Sequence, residues 1–507
     1  MLYRIVLIAL IFNLSHTKMS GGESNSLLSR YYQWYSDENI LFFSVENNPA
    51  IRQYIPLNHF NILSGNFSSR NSNTLHYTFK GDKNRQYYGN AEGFFKDEQT
   101  SLYGSAQYIN GRTQNIRWSS VADPERIGPY HAADSTYRDN DFETYLLNGA
   151  ITWQLFSGVS GISGSYRAES RYSTKDPRNR TVVSDFDISK GWAGKIMDEY
   201  LLGLSFKYGT YTQDLSITSS QSDRKDMFYF MYGYGMYNKS VSGTSRNYST
   251  AYSGNSYLVS AQILPLKESG FFFDLSFEKE VMDADYHRRR RGRFITFNQN
   301  HLAGYQWQQN LTKHRVGLNY THNKGDGTEY YYETVIVDES TMTSEIKLLS
   351  KATKYLRDKH DFSFQYNTWR SFGNYKIKPS LQSGIKNYSS QYRTTPYKEE
   401  VKQWYTTAAL GLYHITESAL SGVDVYLSGF SSYEDDLIVP HDNRFVETVM
   451  VPDHDYRSGD RIVAGITARY VKKMNNNNAW QVLSRFNLVN SNGETSAGVD
   501  FTIAYVL

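Results

Sequence analysis

The sequence predicts an all-β protein: a transmembrane, antiparallel up-and-down β-barrel of about eighteen strands, with sixteen as the alternative, and a short helical N-terminal plug or lid. Three observations predict it. Segments of apolar/polar alternation recur from Leu57 to the C-terminus, the period of a strand covered differently on its two faces. The connections between them alternate short and long. The chain ends on Phe501-Thr502-Ile503-Ala504-Tyr505-Val506-Leu507, with Phe501, Ile503, Tyr505 and Leu507 on one face. Such an apolar edge invites aggregation in a water-soluble sheet, whereas in a closed barrel it pairs with the first strand.

Composition agrees. The 507 residues include no cysteine, which excludes a disulfide scaffold, a cysteine zinc site, a thiol nucleophile and a cysteine-linked lipid anchor. Aromatic residues make up 16%, with 44 tyrosines, yet mean hydropathy is −0.59. Aromatic girdles outside and a polar lumen inside account for both values. Beyond the N-terminus no apolar run approaches the ~18 residues of a spanning helix. The formal net charge of +3 gives no reason to expect nucleic acid as a partner.

Taken in order, Arg4, the apolar run Ile5 to Leu14 and the small residues after it read as a signal peptide over residues 1–20. That address leaves periplasm, outer membrane or exterior. Residues 21–56 do not alternate. Leu27, Leu28, Tyr31, Tyr32, Trp34 and Tyr35 recur at helical spacing, Ser36-Asp37-Glu38 offers a cap for a second short helix, and Asn47-Asn48-Pro49-Ala50 breaks it. Two readings stay open: a plug inside the barrel, or a periplasmic lid beneath it.

Residues 57–507 form the barrel in this reading. Leu147, Ile151 and Trp153 oppose Asn148, Ala150 and Thr152; Leu204 and Phe206 oppose Ser205 and Lys207. Phe271, Phe273 and Phe277 oppose Asp274 and Glu278, and Ile462, Ile466 and Tyr470 oppose Arg469. Charges on the minor face would be costly in a dry sandwich and are tolerated in a wet lumen. Short turns are expected at Lys96 to Thr100, Gly158 to Gly161, Met197-Asp198, Lys267 to Gly270, Phe372 to Asn374, Thr416 to Ala419, Met474 to Asn478 and Ser491 to Glu494, among others. Long loops are expected at Asn71 to Arg85, Ser119 to Asp141, Thr174 to Val182, Gln213 to Thr250, His287 to Gly292, Asn323 to Lys351, Thr394 to Glu400 and Glu434 to Asp460. Short turns face the periplasm in such barrels, so both termini are expected there. Strand boundaries are least defined over Leu57 to Lys96 and Ser344 to Ser371.

Several stretches carry a resemblance: Asn48-Pro49-Ala50, Ala91-Glu92-Gly93-Phe94-Phe95-Lys96, Tyr108-Ile109-Asn110-Gly111-Arg112, Gly128-Pro129-Tyr130-His131-Ala132-Ala133-Asp134-Ser135 and Asp176-Pro177-Arg178. The chain resembles an uncharacterised family of Bacteroidota outer-membrane β-barrel proteins. The resemblance implies a nutrient-uptake setting beside a TonB-dependent receptor and a surface lipoprotein. Asn48-Pro49-Ala50 also resembles the region of the N-terminal hatch in long-chain fatty-acid transporters.

Three groups are candidate sites. Arg288, Arg289, Arg290, Arg291 and Arg293 lie at an expected exterior tip, as a clamp for an anionic solute or lipopolysaccharide phosphate, or as a solvated tip. Lys207, Asp274, Glu278 and Arg469 face the lumen, to tune permeation or to brace the wall. Phe501, Ile503, Tyr505 and Leu507 form the strand that barrel-assembly machinery would read. Glu434 to Asp460 gathers Asp435, Asp436, His441, Asp442, Asp453, His454 and Asp455, without a two-histidine spacing that supports a metal. No cofactor or metal is expected. The functional expectation is a porin-like channel or accessory transport protein for a small solute. The alternative is a sealed barrel that docks a receptor or lipoprotein; a rim enzyme using Asp453-His454-Asp455 is remote.

Overall fold

Pairing each alternating segment with the next, in chain order, puts every apolar face on one side of a single sheet and every polar face on the other. A computed structural model of the chain shows this arrangement closed on itself. It describes residues 27–507 apart from 37, 39, 73–77, 220–225, 339–342, 476–477 and 492–493. Among the described residues eighteen strands form one antiparallel sheet, from His59–Asn71 to Glu494–Val506. The first and last strands pair from Ile62 opposite Val506 to Asn71 opposite Ala497. Closure leaves no barrel edge for another chain to extend.

The two faces are as the alternation requires. Leu147, Ile151, Leu204, Phe206, Phe271, Phe273, Phe277, Ile462, Ile466 and Tyr470 are exposed on the outside. Their neighbours Thr152, Ser205, Phe272 and Asp274 are buried inside. In the terminal strand Phe501 and Ile503 are exposed while Ala504 and Val506 are buried.

The connections at Thr174 to Val182 and Thr394 to Glu400 are shorter than expected, with strand resuming at Arg178 and Lys398, and four others differ more. His287 and Arg288 alone form a turn, with φ of 49° and 60°, so Arg289–Gln309 is already strand. Two successive positive φ angles match the right-handed twist of a hairpin, which makes a longer loop unnecessary. Gly158 to Gly161 is strand, and the turn is Phe156-Ser157. The Ser491 to Glu494 connection is short but lies at the end of the barrel that carries the long loops. The stretch Asn323 to Lys351 is not a loop. Thr312–Asp338 and Thr343–Phe372 run on as a two-stranded ribbon after their outer neighbours stop at Gly292 and Tyr392.

Residues 1–20, expected as a signal peptide, lie outside the described residues. From Leu27 the pre-barrel segment is a helix over Leu27–Tyr35, a turn of helix over Leu41–Ser44 and a 3₁₀ helix over Pro49–Tyr54. It packs against the inner wall at the end where the short turns and the C-terminus lie. Leu27, Leu28, Tyr31 and Tyr32 share a core with Phe60, Tyr413, Leu420, Val471, Ala504 and Val506. Ile40, Leu41, Ala50, Ile51 and Ile55 share another with Phe94, Val159, Ala193, Leu264 and Phe272, on other strands.

Asn48 is the pivot of this segment. Fully buried, it caps the 3₁₀ helix by accepting from the Ala50 amide at 3.1 Å. Its Nδ2 donates to the Trp192 carbonyl at 3.2 Å and Gln262 Oε1 at 3.1 Å, both on the wall. Pro49 follows as the first helical residue, where a missing amide costs nothing. Gly161, Gly191 and Gly203 lie beneath, and a Cβ on Gly161 would stand 2.8 Å from the Ala50 nitrogen and 2.9 Å from the Pro49 carbonyl carbon. Backbone cannot yield as a side chain does. Gly161→Ala is therefore expected to lift the segment: limited proteolysis should cut within residues 27–57 at least about ten times faster, as ~1.4 kcal/mol of lost docking implies. The heat-modifiable gel shift of the folded barrel should be kept. Unchanged protection would refute this seat.

Candidate functional site

The long loops fold into the lumen from the other end. Val121, Ile127 and Tyr130 of one, Phe228, Phe230, Tyr232 and Tyr234 of the next, and the wall residues Tyr211, Leu215, Tyr252 and Phe294 form a continuous buried cluster. A small sheet built on Asp226–Gly233 pairs with Ala132–Ala133 and ties two loops together. Polar bonds fix the loops to the wall: the Ala132 amide to Tyr252 Oη at 2.9 Å, the Ala122 amide to Gln213 Oε1 at 2.9 Å, and Tyr234 Oη with Ser390 Oγ at 2.7 Å. The third loop contributes the helix Val451–Ser458.

Between these loops and the wall is a cavity of about 530 Å³. Its wall side is lined by Arg357, Lys359, Asp361 and Lys386, and its loop side by Glu125, Tyr234, Asp453 and Arg457. Six cations (Lys80, Arg357, Lys359, Lys386, Arg457, Arg461) face four carboxylates (Glu125, Asp361, Glu399, Asp453), a formal excess of two positive charges. The pairing is partial. Arg457 and His454 Nδ1, the latter at 3.2 Å, both bond buried Glu399. Lys386 lies 3.5 Å from Asp361, and Lys359 is 4.0 Å from Glu125. Arg457 lies over the Tyr388 ring at 3.9 Å and Arg357 over Phe294 at 4.8 Å. Charged groups held against aromatic faces, with cations in excess, suit a small polar solute bearing negative charge.

The expected site residues fall in different places. Asp274 and Arg469 hold the N-terminal segment. Asp274 accepts from Ser44 Oγ at 2.9 Å, and Arg469 lies over Tyr35 at 5.5 Å and Tyr31 at 5.7 Å. Lys207 and Glu278 face each other across the inner wall at 3.9 Å. Of the arginines, Arg290 and Arg293 reach Asp283, each at 2.7 Å, and Arg291 is buried beneath Tyr332 at 4.7 Å. Arg288 is exposed at the turn. They do not converge as a clamp, because three are taken up by the barrel itself. Asp453 and His454 also diverge: Asp453 accepts from the Thr78 amide and hydroxyl, both at 2.8 Å, while His454 turns to Glu399 and Asp435.

Sequence reading missed the cavity. Its signal was Arg357-Asp358-Lys359-His360-Asp361, where Arg357, Lys359 and Asp361 share one strand face. The other face of the same strand carries Asp358 and His360. With His322 opposite, these are, among the described residues, the one group placed to share a metal ion.

A family model described as a family of unknown function (DUF6850) matches residues 49–506. No curated protein matches the sequence. Among solved structures the chain is similar to BauA, the ferric preacinetobactin receptor from Acinetobacter baumannii (TM-score 0.40, 7% identity, covering 88% of this chain and 80% of that one). It is also similar to the FrpB iron transporter from Neisseria meningitidis, F5-1 variant (TM-score 0.41, 10% identity, 89% and 82%).

The third loop should respond to pH. Burial raises the Asp453 carboxyl to about 6, against the opposing bonds from Thr78. Burial opposes a charged His454, but the bond to Glu399 and the fields of Glu399 and Asp435 outweigh it and raise this imidazole. Both groups bind protons more tightly when the loop is docked. Docking therefore weakens as pH rises, from 3.8 to about 6 for Asp453, and through the raised value for His454. Hydrogen exchange of residues 451–458, corrected for intrinsic rates, should show more protection at pH 5 than at pH 8. Asp453→Asn with His454→Gln should flatten the difference.

Proposed function

We propose that this chain, which belongs to the family of unknown function DUF6850, is an outer-membrane barrel of a transport system. It takes a small anionic solute into the cavity beneath its loops and is not a permanently open pore. The observation that carries this reading is a lumen filled from both ends around a charged cavity. Residues 27–55 pack across one end, and three infolded loops across the other. The membrane setting rests on the outer face, where exposed Leu, Ile, Val and Phe side chains recur strand after strand. A contiguous apolar surface of this extent is stable only against lipid. In this setting the short turns and the C-terminus face the periplasm and the loops face outward.

Planar-bilayer recording tests it. The purified full-length chain is expected to show no steady conductance. Gly161→Ala combined with Asn48→Ala, which unseats the N-terminal segment, is expected to produce openings. Steady porin-like current from the wild-type chain would overturn the sealed reading.

A second reading, docking of a receptor or surface lipoprotein, is favoured by the ribbon. Among the described residues, 330–338 and 343–351 pair only with each other, a projection of about 30 Å at the usual strand rise. Ile336, Val337, Leu348 and Leu349 are exposed on it at 50–60%. Isolated two-stranded ribbons are marginal in water. Leu348→Asp with Leu349→Asp is expected to abolish co-purification of any partner from native membranes, with barrel assembly unchanged.

A further inference from the structure

We propose that His322, Asp358 and His360 form a binding site for a divalent transition-metal ion on the outer surface of the barrel. The three residues come from the paired strands Thr312–Asp338 and Thr343–Phe372. His322 lies directly opposite His360, and Asp358 precedes His360 by two positions, so all three project from one face. That face is the outer one, since Phe362 and Phe364 of the same row are exposed. One ligand atom from each lies within 4.8 Å of the other two.

The side chains already converge. The imidazole rings stand face to face, 4.4 Å apart and 6° from parallel, and present the same edge to the carboxylate. His322 Nε2 is 2.7 Å from Asp358 Oδ1 and His360 Nε2 is 3.3 Å from the same oxygen. An ion of this class needs each donor at ~2.0–2.2 Å. It would replace the His322 hydrogen bond to Asp358 with three coordination bonds, one from each side chain. Two imidazoles and one carboxylate on one side of an ion suit zinc, nickel, copper or ferrous iron, and leave outward positions for water or an anion.

A second observation supports it. Tyr320 Oη is 3.0 Å from His360 Nδ1. When the phenol accepts from Nδ1–H, the proton is fixed there and the Nε2 lone pair is left facing Asp358. Metal-binding histidines characteristically have such an outer partner. The position is also distinctive. One step along the barrel toward the short turns, the outer row becomes apolar and aromatic, with Tyr320 opposite Phe362 and Trp404 further round; one step the other way it is charged, with Lys324 opposite Asp358 and Lys402 ion-paired to Glu434. The triad sits at that border, where lipid headgroups would meet the wall.

The test uses the full-length chain in detergent, stripped with a chelator and titrated with zinc chloride against a chromophoric competitor. One zinc per chain is expected. His322→Ala and His360→Ala should each weaken binding by about 100-fold or more, Asp358→Asn by about 10–100-fold, and Tyr320→Phe by about 10-fold. Zinc should raise the melting temperature of the wild type and leave that of the His322→Ala/His360→Ala double variant unchanged, with the heat-modifiable gel shift confirming that each variant is folded. Absence of stoichiometric zinc, or a double variant that binds as tightly as the wild type, would reduce the triad to a brace between two strands and overturn the proposal.

Discussion

Every backbone amide and carbonyl of a sheet placed in lipid must find its partner within the sheet, because lipid offers none. The pairing of His59–Asn71 with Glu494–Val506 meets that demand by removing the edge. Once closed, the sheet has an inside and an outside, and its period-two sequence has to satisfy both. The outer row is apolar. The inner row must meet either water or more protein, and here it meets more protein at both ends.

That infilling changes the meaning of the composition. Aromatic residues suggested girdles at the two membrane borders, and some outer tyrosines and tryptophans fit that role. Yet Tyr31, Tyr130, Tyr211 and Tyr252 are among the largest fully buried side chains, and all lie within the barrel. Tyrosine suits this place. It contributes a wide apolar face to the loop core, and its hydroxyl reaches a loop amide, as Tyr252 does for Ala132. Such buried tyrosines are mortar between the wall and what fills it, while others, Tyr257, Tyr305 and Tyr470 among them, are exposed on the outside.

Strand number, closure and the direction of each alternating segment were legible because a period of two depends only on neighbours in the chain. The helical spacing of Leu27 to Tyr35 was legible for the same reason. Two things were not. The stretch Asn323 to Lys351 is expected as a loop because its charges interrupt the alternation that a lipid-facing row would keep; from Tyr330 on, its strands pair, among the described residues, only with each other, so no such row is required. The cavity and the histidine pair depend on register. Nothing local in His322 announces that it will face His360, thirty-eight positions later and one strand away. Likewise Asp274 and Arg469 lie against the N-terminal segment, and whether a lumen charge meets solute or plug is decided by that segment.

The seat of the N-terminal segment has a bearing on how the molecule comes together. Leu27–Tyr35 rests on Ala504 and Val506 as well as on Phe60, and the next turns rest on Gly161, Gly191 and Phe272. No single hairpin carries this surface, and half of it is missing until the last strand has joined the first. The segment that precedes the barrel therefore gains its full seat only when the first and last strands are paired. A fully seated segment is thus the mark of a closed cylinder.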